Sequence, residues 1–324
     1  VDSLVAQQPF SHLTVLRDEV IAALAPTRDG VYADVTLGGG GHTLALLERV
    51  GLTARTRVIA IDRDPAARNA ARARLGAFGD RVTICDARMS ELSAVLAEHG
   101  VSGVDGLIAD LGVSSPQFDD ASRGMSFRSP GPIDMRMDPT QEDTALSLIE
   151  QWTDDELANV LYEFGDERAS RPIARSIKRM LAAGELNTTE DLARAVYKVL
   201  GAPKAWEHRA NPATRTFQAL RIAVNDELGE LERLLSQLAS VLNPGAIAAI
   251  ISFHSLEDRR VKWAFRQDPA LQVITKKPIE PSEDEQQQNP RARSAKLRCA
   301  RRRTDDDSLD RSGDVEDDTE QDQS

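Results

Sequence analysis

Short apolar runs alternate with longer amphipathic stretches through the first third of the chain. Residues 31–37, 58–61, 81–86 and 104–110 are rich in β-formers and about strand length, and 43–48, 66–75 and 90–99 carry helix formers between them. Pro65 suits the first turn of the middle helix, and Gly100 closes the third. A further helix over 12–24, stopped by Pro26, precedes the first strand. Units of this length in this order predict a parallel sheet with helices on both faces.

The alternation breaks at Leu111-Gly112-Val113-Ser114-Ser115-Pro116-Gln117. A turn-rich stretch follows, and then about ninety residues read as helix with no strand between. Capping boxes Thr153-x-x-Glu156 and Thr188-x-x-Asp191 open two of its helices, which end at Phe164 and Gly201, and Gly184 closes another. The α/β pattern then resumes: a helix over 225–242, a Pro244-Gly245 turn, a strand over 247–252, a helix over 256–265 and strands over 271–275 and 294–299. Residues 280–288 read as a polar, mobile loop. This predicts a discontinuous α/β domain (1–118 and 214–303), an inserted helical substrate-recognition domain (119–213) and a tail (304–324).

The first strand discharges into Gly38-Gly39-Gly40-Gly41-His42, a strand, tight loop and helix start whose glycines leave no side chains between backbone and ligand. The second strand ends in Asp62, 28 positions after Asp34, where a doubly wound nucleotide fold places the carboxylate that grips ribose hydroxyls. Together they indicate an adenosine-bearing cofactor. A dinucleotide fingerprint counted from Gly38 needs a third glycine where Thr43 stands, which disfavours a nicotinamide-dependent oxidoreductase. An acidic residue in the first strand, here Asp34, resembles the class I methyltransferases instead, whose S-adenosylmethionine has no pyrophosphate to cradle.

Charge and cysteine usage narrow the picture. No apolar run approaches the roughly 20 residues of a membrane span, so a soluble cytoplasmic protein is expected. Cys85 and Cys299 stand far apart, and His12, His42, His99, His208 and His254 form no ligand spacing, so no metal site is expected. Of the net charge of −12, nine units fall between Thr304 and Ser324, where ten acids face Arg311 alone and no apolar periodicity remains, which reads as a disordered acidic tail. Just before it, Arg291, Arg293, Lys296, Arg298, Arg301, Arg302 and Arg303 form a basic cluster, read equally as a solvated strand end or a phosphate surface.

Several strings match one family in order: His12-Leu13-Thr14-Val15-Leu16, Asp62-Arg63-Asp64-Pro65, residues 110–117, Asp134-Met135-Arg136-Met137-Asp138, residues 211–221 and residues 252–259. From about residue 12 to 303 the chain resembles the bacterial ribosomal RNA small subunit methyltransferase H family. The resemblance implies a class I S-adenosylmethionine-dependent fold, α/β and Rossmann-like with an inserted all-helical domain. It implies methylation of the exocyclic N4 of a cytidine in the decoding region of small-subunit (16S) ribosomal RNA. It also implies cofactor contacts from Gly40, Gly41, His42, Asp62, Asp110 and Gln117. Met89 stands where the family usually has an aromatic residue over the adenine.

Asp110, ending the fourth strand, is the expected catalytic residue, holding cofactor, substrate amine or both, in place of the Asn/Asp-Pro-Pro-aromatic string common in amino methyltransferases. Phe253 and His254, ending a later strand, either reach the same cleft to stack on and bond a base or are ordinary core residues. Arg215, Gln218, Arg221 and Asn225 share a helix face, either solvated or a phosphate surface, with Arg123 and Arg136 expected to join Arg215 and Arg221 on the RNA. The substrate partner is then small-subunit ribosomal RNA or the 30S particle. A fold-retaining RNA-binding assembly factor without turnover is the non-catalytic alternative.

Overall fold

The computed structural model describes residues 14–203 and 211–308. His12, His208 and the acidic tail from residue 309 onward lie outside the described residues. Seven strands, β1 (Val31–Asp34), β2 (Arg57–Ile61), β3 (Val82–Cys85), β4 (Val104–Asp110), β5 (Leu242–Ser252), β6 (Leu271–Val273) and β7 (Lys296–Arg302), form one sheet in the order β3-β2-β1-β4-β5-β7-β6. The first five run parallel, and β7 is antiparallel to both its neighbours. This is the Rossmann-like class I methyltransferase architecture expected above. The continuous apolar run Val58-Ile59-Ala60-Ile61 is a strand buried on both faces. Alternate residues go to opposite sides: Ala33, Ile59, Leu107 and Ala109 to one core, Tyr32, Val58, Ala60 and Ile108 to the other.

Helices α1 (Arg17–Leu24), α2 (Gly41–Val50), α3 (Pro65–Leu75) and α4 (Leu92–Glu98) occupy the first α/β half. Leu24, Leu46, Leu47 and Leu75 cover the second core, and Leu92 and Leu96 the first. Between β4 and β5 lie α5 (Ser115–Asp119), α6 (Ala145–Gln151), α7 (Asp154–Gly165), α8 (Ser170–Ala182), α9 (Thr189–Leu200), α10 (Thr214–Asn225) and α11 (Glu227–Val241). Then come α12 (Ser255–Gln267) and α13 (Glu283–Gln288).

The helical segment has a core of its own, with Ile149, Leu161, Ile177 and Val196 fully buried in it. Phe217, Leu220 and Val224 belong to the same cluster, so its packing continues through α10, past the boundary expected at 213. A Cβ on Gly165 would sit 2.7 Å from the Arg215 carbonyl, which shows how closely α7 and α10 approach. The helix expected over 225–242 is α11, which starts at Glu227 because Asp226, with φ +49°, separates it from α10; α10 packs with the helical segment while α11 returns Leu231, Leu234 and Leu238 to the sheet. Residues 280–288 are no plain loop: Ser282 caps α13, and the Glu285 carboxylate accepts the Leu16 amide at 2.8 Å, tying the segment to the start of α1.

Candidate active site

The order of the sheet reverses between β1 and β4, and the carboxyl ends of β1, β2 and β4 open there on one cleft, the place where doubly wound sheets bind ligands. Asp34 lies beneath its floor, 1% exposed, accepting the Thr43 hydroxyl at 2.7 Å and the Thr36 amide at 3.2 Å. Burial pushes its carboxyl pKa up, against the Thr43 hydrogen bond. Thr43 is itself fully buried, so the position at which a dinucleotide fingerprint needs glycine is filled by a side chain committed to the strand below.

Gly38, Gly39, Gly41 and His42 line the cleft. Gly40 does not. Its φ of +77° makes the turn, and a Cβ there would meet Leu75 Cδ1 at 3.0 Å, so it serves loop geometry and packing on α3, unlike the direct contact expected of it.

Asp62 lines the cleft and is fixed from two sides: its carboxylate accepts the Gly38 amide and the Asp64 amide, each at 2.8 Å. Burial pushes its pKa up to about 6, against those two amides. Asp64, 1% exposed, caps α3 through the Ala66 amide and accepts both Gln117 Nε2 at 2.7 Å and Arg123 at 3.0 Å. Gln117 is thereby held on the cleft, its Oε1 accepting the Ser114 amide at 3.0 Å. Met89 lines the same cleft beside Ala87 and Arg88.

Asp110 and His42 meet at the centre, Oδ2 to Nε2 3.6 Å. Both His42 nitrogens and Asp110 Oδ1 are buried without a hydrogen-bond partner. Buried polar atoms are nearly always satisfied, so these are groups shaped for a ligand. An adenosine cofactor carrying an amino acid group fits this donor set: a carboxylate for ribose hydroxyls, apolar Met89 for the adenine, and an unpaired acid and imidazole for the polar end.

Across the cleft stand Phe253, Glu227, Glu230 and Glu257. Phe253 lines the cleft, whereas His254 does not. Its Nδ1 accepts the Glu257 amide at 3.4 Å as the cap of α12, and its Nε2 lies 3.2 Å from Glu257 Oε1. Burial raises the Glu257 pKa, but His254 and the Phe253 amide hold it below the usual range.

Arg221 departs from expectation. It forms a two-pronged pair with Glu227 at 2.7 and 2.8 Å, its side chain 15% exposed, and so presents no fork to phosphate. Asn225 is buried between Met135 O and the Met137 amide, and Gln218 bonds Phe164 O, so the predicted stripe is mostly internal cross-linking. Arg215 is exposed and donates to Asp166 O at 3.0 Å. Arg123 and Arg136 are likewise engaged, with Asp64 and Asp134. In the basic cluster Arg298 pairs with Asp258, Arg301 with Asp307, and Arg291, which lines the cleft, with Asp119 over the Phe118 ring.

Glu227, His254 and Glu257 bring ligand atoms within 4.8 Å of one another, a grouping the histidine and cysteine spacing did not reveal. Both Glu227 oxygens are taken by Arg221, and His254 Nδ1 accepts the Glu257 amide. The two carboxylates are engaged, by Arg221 and by the Phe253 amide, while His254 Nε2, 3.2 Å from Glu257 Oε1, is buried without a hydrogen-bond partner. Sequence reading also missed Asp64 and Arg63. Asp64 was visible as the residue before Pro65, the signature of a cap. Arg63 lines the cleft with its pKa lowered by burial, and nothing in the sequence marked it.

Residues 9–303 match the MraW methylase family. The ribosomal RNA small subunit methyltransferase H of Sorangium cellulosum (strain So ce56) is 55% identical over 291 residues, 90% of each chain. That of Synechococcus sp. (strain CC9902) is 52% identical over 300 residues, 91% of this chain and 98% of the relative. A solved rRNA methylase from Streptococcus thermophilus overlays at a TM-score of 0.41 with 11% identity, covering 89% of this chain and 94% of that one.

Proposed function

The chain belongs to the MraW methylase family, and from that premise we propose that it methylates the exocyclic N4 of a cytidine in the decoding region of small-subunit ribosomal RNA. It is an S-adenosylmethionine-dependent ribosomal RNA methyltransferase. The observation that carries the site assignment is the meeting of Asp110, His42 and Asp62 in one cleft at the sheet's switch point, with polar atoms of the first two unsatisfied.

When bound, the cofactor supplies an electrophilic methyl group. Asp62 accepts the ribose hydroxyls, Met89 covers the adenine, and Gly41, His42 and Gln117 hold the rest. A cytosine amine is a weak nucleophile because its lone pair is delocalised into the ring. Asp110 Oδ1, the unpaired acceptor, would take an amine hydrogen and so orient that lone pair toward the cofactor side of the cleft. The same carboxylate is the acceptor for the proton released after transfer. Phe253 stacks on the base, which enters unpaired.

The helical segment forms the substrate side of the cleft, since Met137 lines it and is held by Asn225 at the end of α10. The enzyme works in the cytoplasm, where its substrate particle is assembled; no helix among the described residues is long and apolar enough to cross a membrane. Labelled S-adenosylmethionine incubated with small ribosomal particles lacking the modification should place label on cytidine N4. A particle that stays unlabelled rejects the reading.

A further inference from the structure

We propose that the solvent face of α8 is a second RNA-docking surface, gripping backbone phosphates of the substrate particle outside the cleft. It rests on the reading that the substrate is ribosomal RNA. α8 buries Ile173, Ala174, Ile177 and Met180 in the helical core. Arg171, Arg175 and Arg179 are exposed on the opposite side, and with a rise of 1.5 Å per residue they follow one another about 6 Å apart. Arg168, in the turn before the helix, is exposed as well. None of the four lines the cleft.

Among the described residues, every cation of the helical segment other than these four and Arg128 has a partner for its side chain. Elsewhere in the helical segment Arg194 pairs with Asp191, Lys198 with Glu185, Lys178 with Ile149 O and Arg215 with Asp166 O. Among the described residues, no hydrogen bond or ion pair engages Arg168, Arg171, Arg175 or Arg179. Like charges four residues apart destabilise a helix, and Arg171 stands in the first turn, where the helix dipole disfavours a cation. Helix stability therefore accounts for neither the row nor its start.

A line of unpaired arginine forks matches a line of phosphates, each of which accepts a fork in two-pronged fashion. Because the contacts are to backbone, this surface contributes affinity and register while the cleft selects the base. Arg215 bonds the turn between α7 and α8, so the row continues toward the start of α10.

The test combines Arg171→Glu, Arg175→Glu and Arg179→Glu in the full chain, with the three corresponding Lys substitutions as a charge-preserving control. Naked small-subunit ribosomal RNA and unmodified particles are the probes. KM for particles should rise about tenfold or more with turnover at saturation and S-adenosylmethionine affinity retained. The log–log salt dependence of naked-RNA binding should become shallower by about two, at about 0.7 per lost single-strand contact. The Lys variant should restore both. If the Glu variant does not fold, the corresponding Gln variant, which adds no repulsion, is measured in the same way. Unchanged KM and salt slope in a folded variant overturn the proposal. So does weakened particle binding with naked-RNA binding intact, which would assign the face to an acidic protein. Wild-type labelling of the same particles tests the functional reading separately: if it fails while the naked-RNA slope still changes, the docking surface stands and the substrate assignment falls.

Discussion

On the glycine-loop wall of the cleft, His42 and Asp110 hold buried polar atoms with no partner. Across the cleft the carboxylates of Glu227, Glu230 and Glu257 are all taken, by Arg221, by Arg233 and the Ser90 amide, and by the Phe253 amide and His254. Both walls are acidic, yet only Asp110 among these carboxylates has an oxygen with a bond left to make. An unsatisfied buried group raises the energy of the empty site and is repaid by a ligand, whereas a saturated one fixes shape and resists change. The density of carboxylates is thus a poor guide to which of them does chemistry; their spare acceptor capacity is the better one.

The largest effect expected from breaking this contrast lies on the saturated wall. Arg221→Ala leaves Glu227 buried and unpaired, which costs about 3–5 kcal/mol and should show as a lowered denaturation midpoint before any assay of RNA. A variant as stable as the wild type would mean that the Glu227 side is not a structural wall. On the unsatisfied wall, Asp110→Ala should keep stability near wild type while lowering kcat/KM about 100-fold, equivalent to about 2.7 kcal/mol of transition-state contacts. A loss appearing only in cofactor affinity would assign Asp110 to the cofactor alone.

Asp62→Ala should weaken S-adenosylmethionine binding in calorimetry by about 1.5–3 kcal/mol, the worth of a charge-assisted hydrogen bond. The pH dependence sharpens this. Burial raises the Asp62 pKa to about 6, so in the cofactor-free protein the folded state binds this proton more tightly than the unfolded chain does. Its contribution to stability is present at low pH and is lost as pH rises toward 6. Cofactor affinity runs the other way, rising with pH through about 6 as the accepting carboxylate forms, and levelling above. Asp62→Asn should remove that rise; a rise that survives belongs to another group. The smallest change expected is a gain: Met89→Phe restores a stacking ring and should tighten cofactor binding by about 0.5–1.5 kcal/mol, and unaltered affinity would place the adenine elsewhere.

The sequence determined the features that depend on near neighbours. Strand runs such as Val58-Ile59-Ala60-Ile61, Pro65 in the first turn of α3, the caps at Thr153 and Thr188, and the turn at Gly38-Gly39-Gly40-Gly41 are written in the periodicity and steric freedom of a few consecutive residues, and each lies where the pattern put it. Because strands ending on the same side of a parallel sheet bring their termini together, that local reading also assembled Asp62, Asp110 and the glycine loop in one cleft. Tertiary structure alone decided what each charge is for. Arg123 meets Asp64 from 59 positions away, Arg291 meets Asp119 from 172 and Arg298 meets Asp258 from 40, so the sequence displays the guanidinium groups but not their partners. Arg221 and Arg171 look alike in the chain. One faces inward at the junction of α10 and α11 and is consumed by Glu227, while the other stands on the outer face of α8 with no ion pair among the described residues, a difference set by packing between segments and not by anything adjacent in sequence.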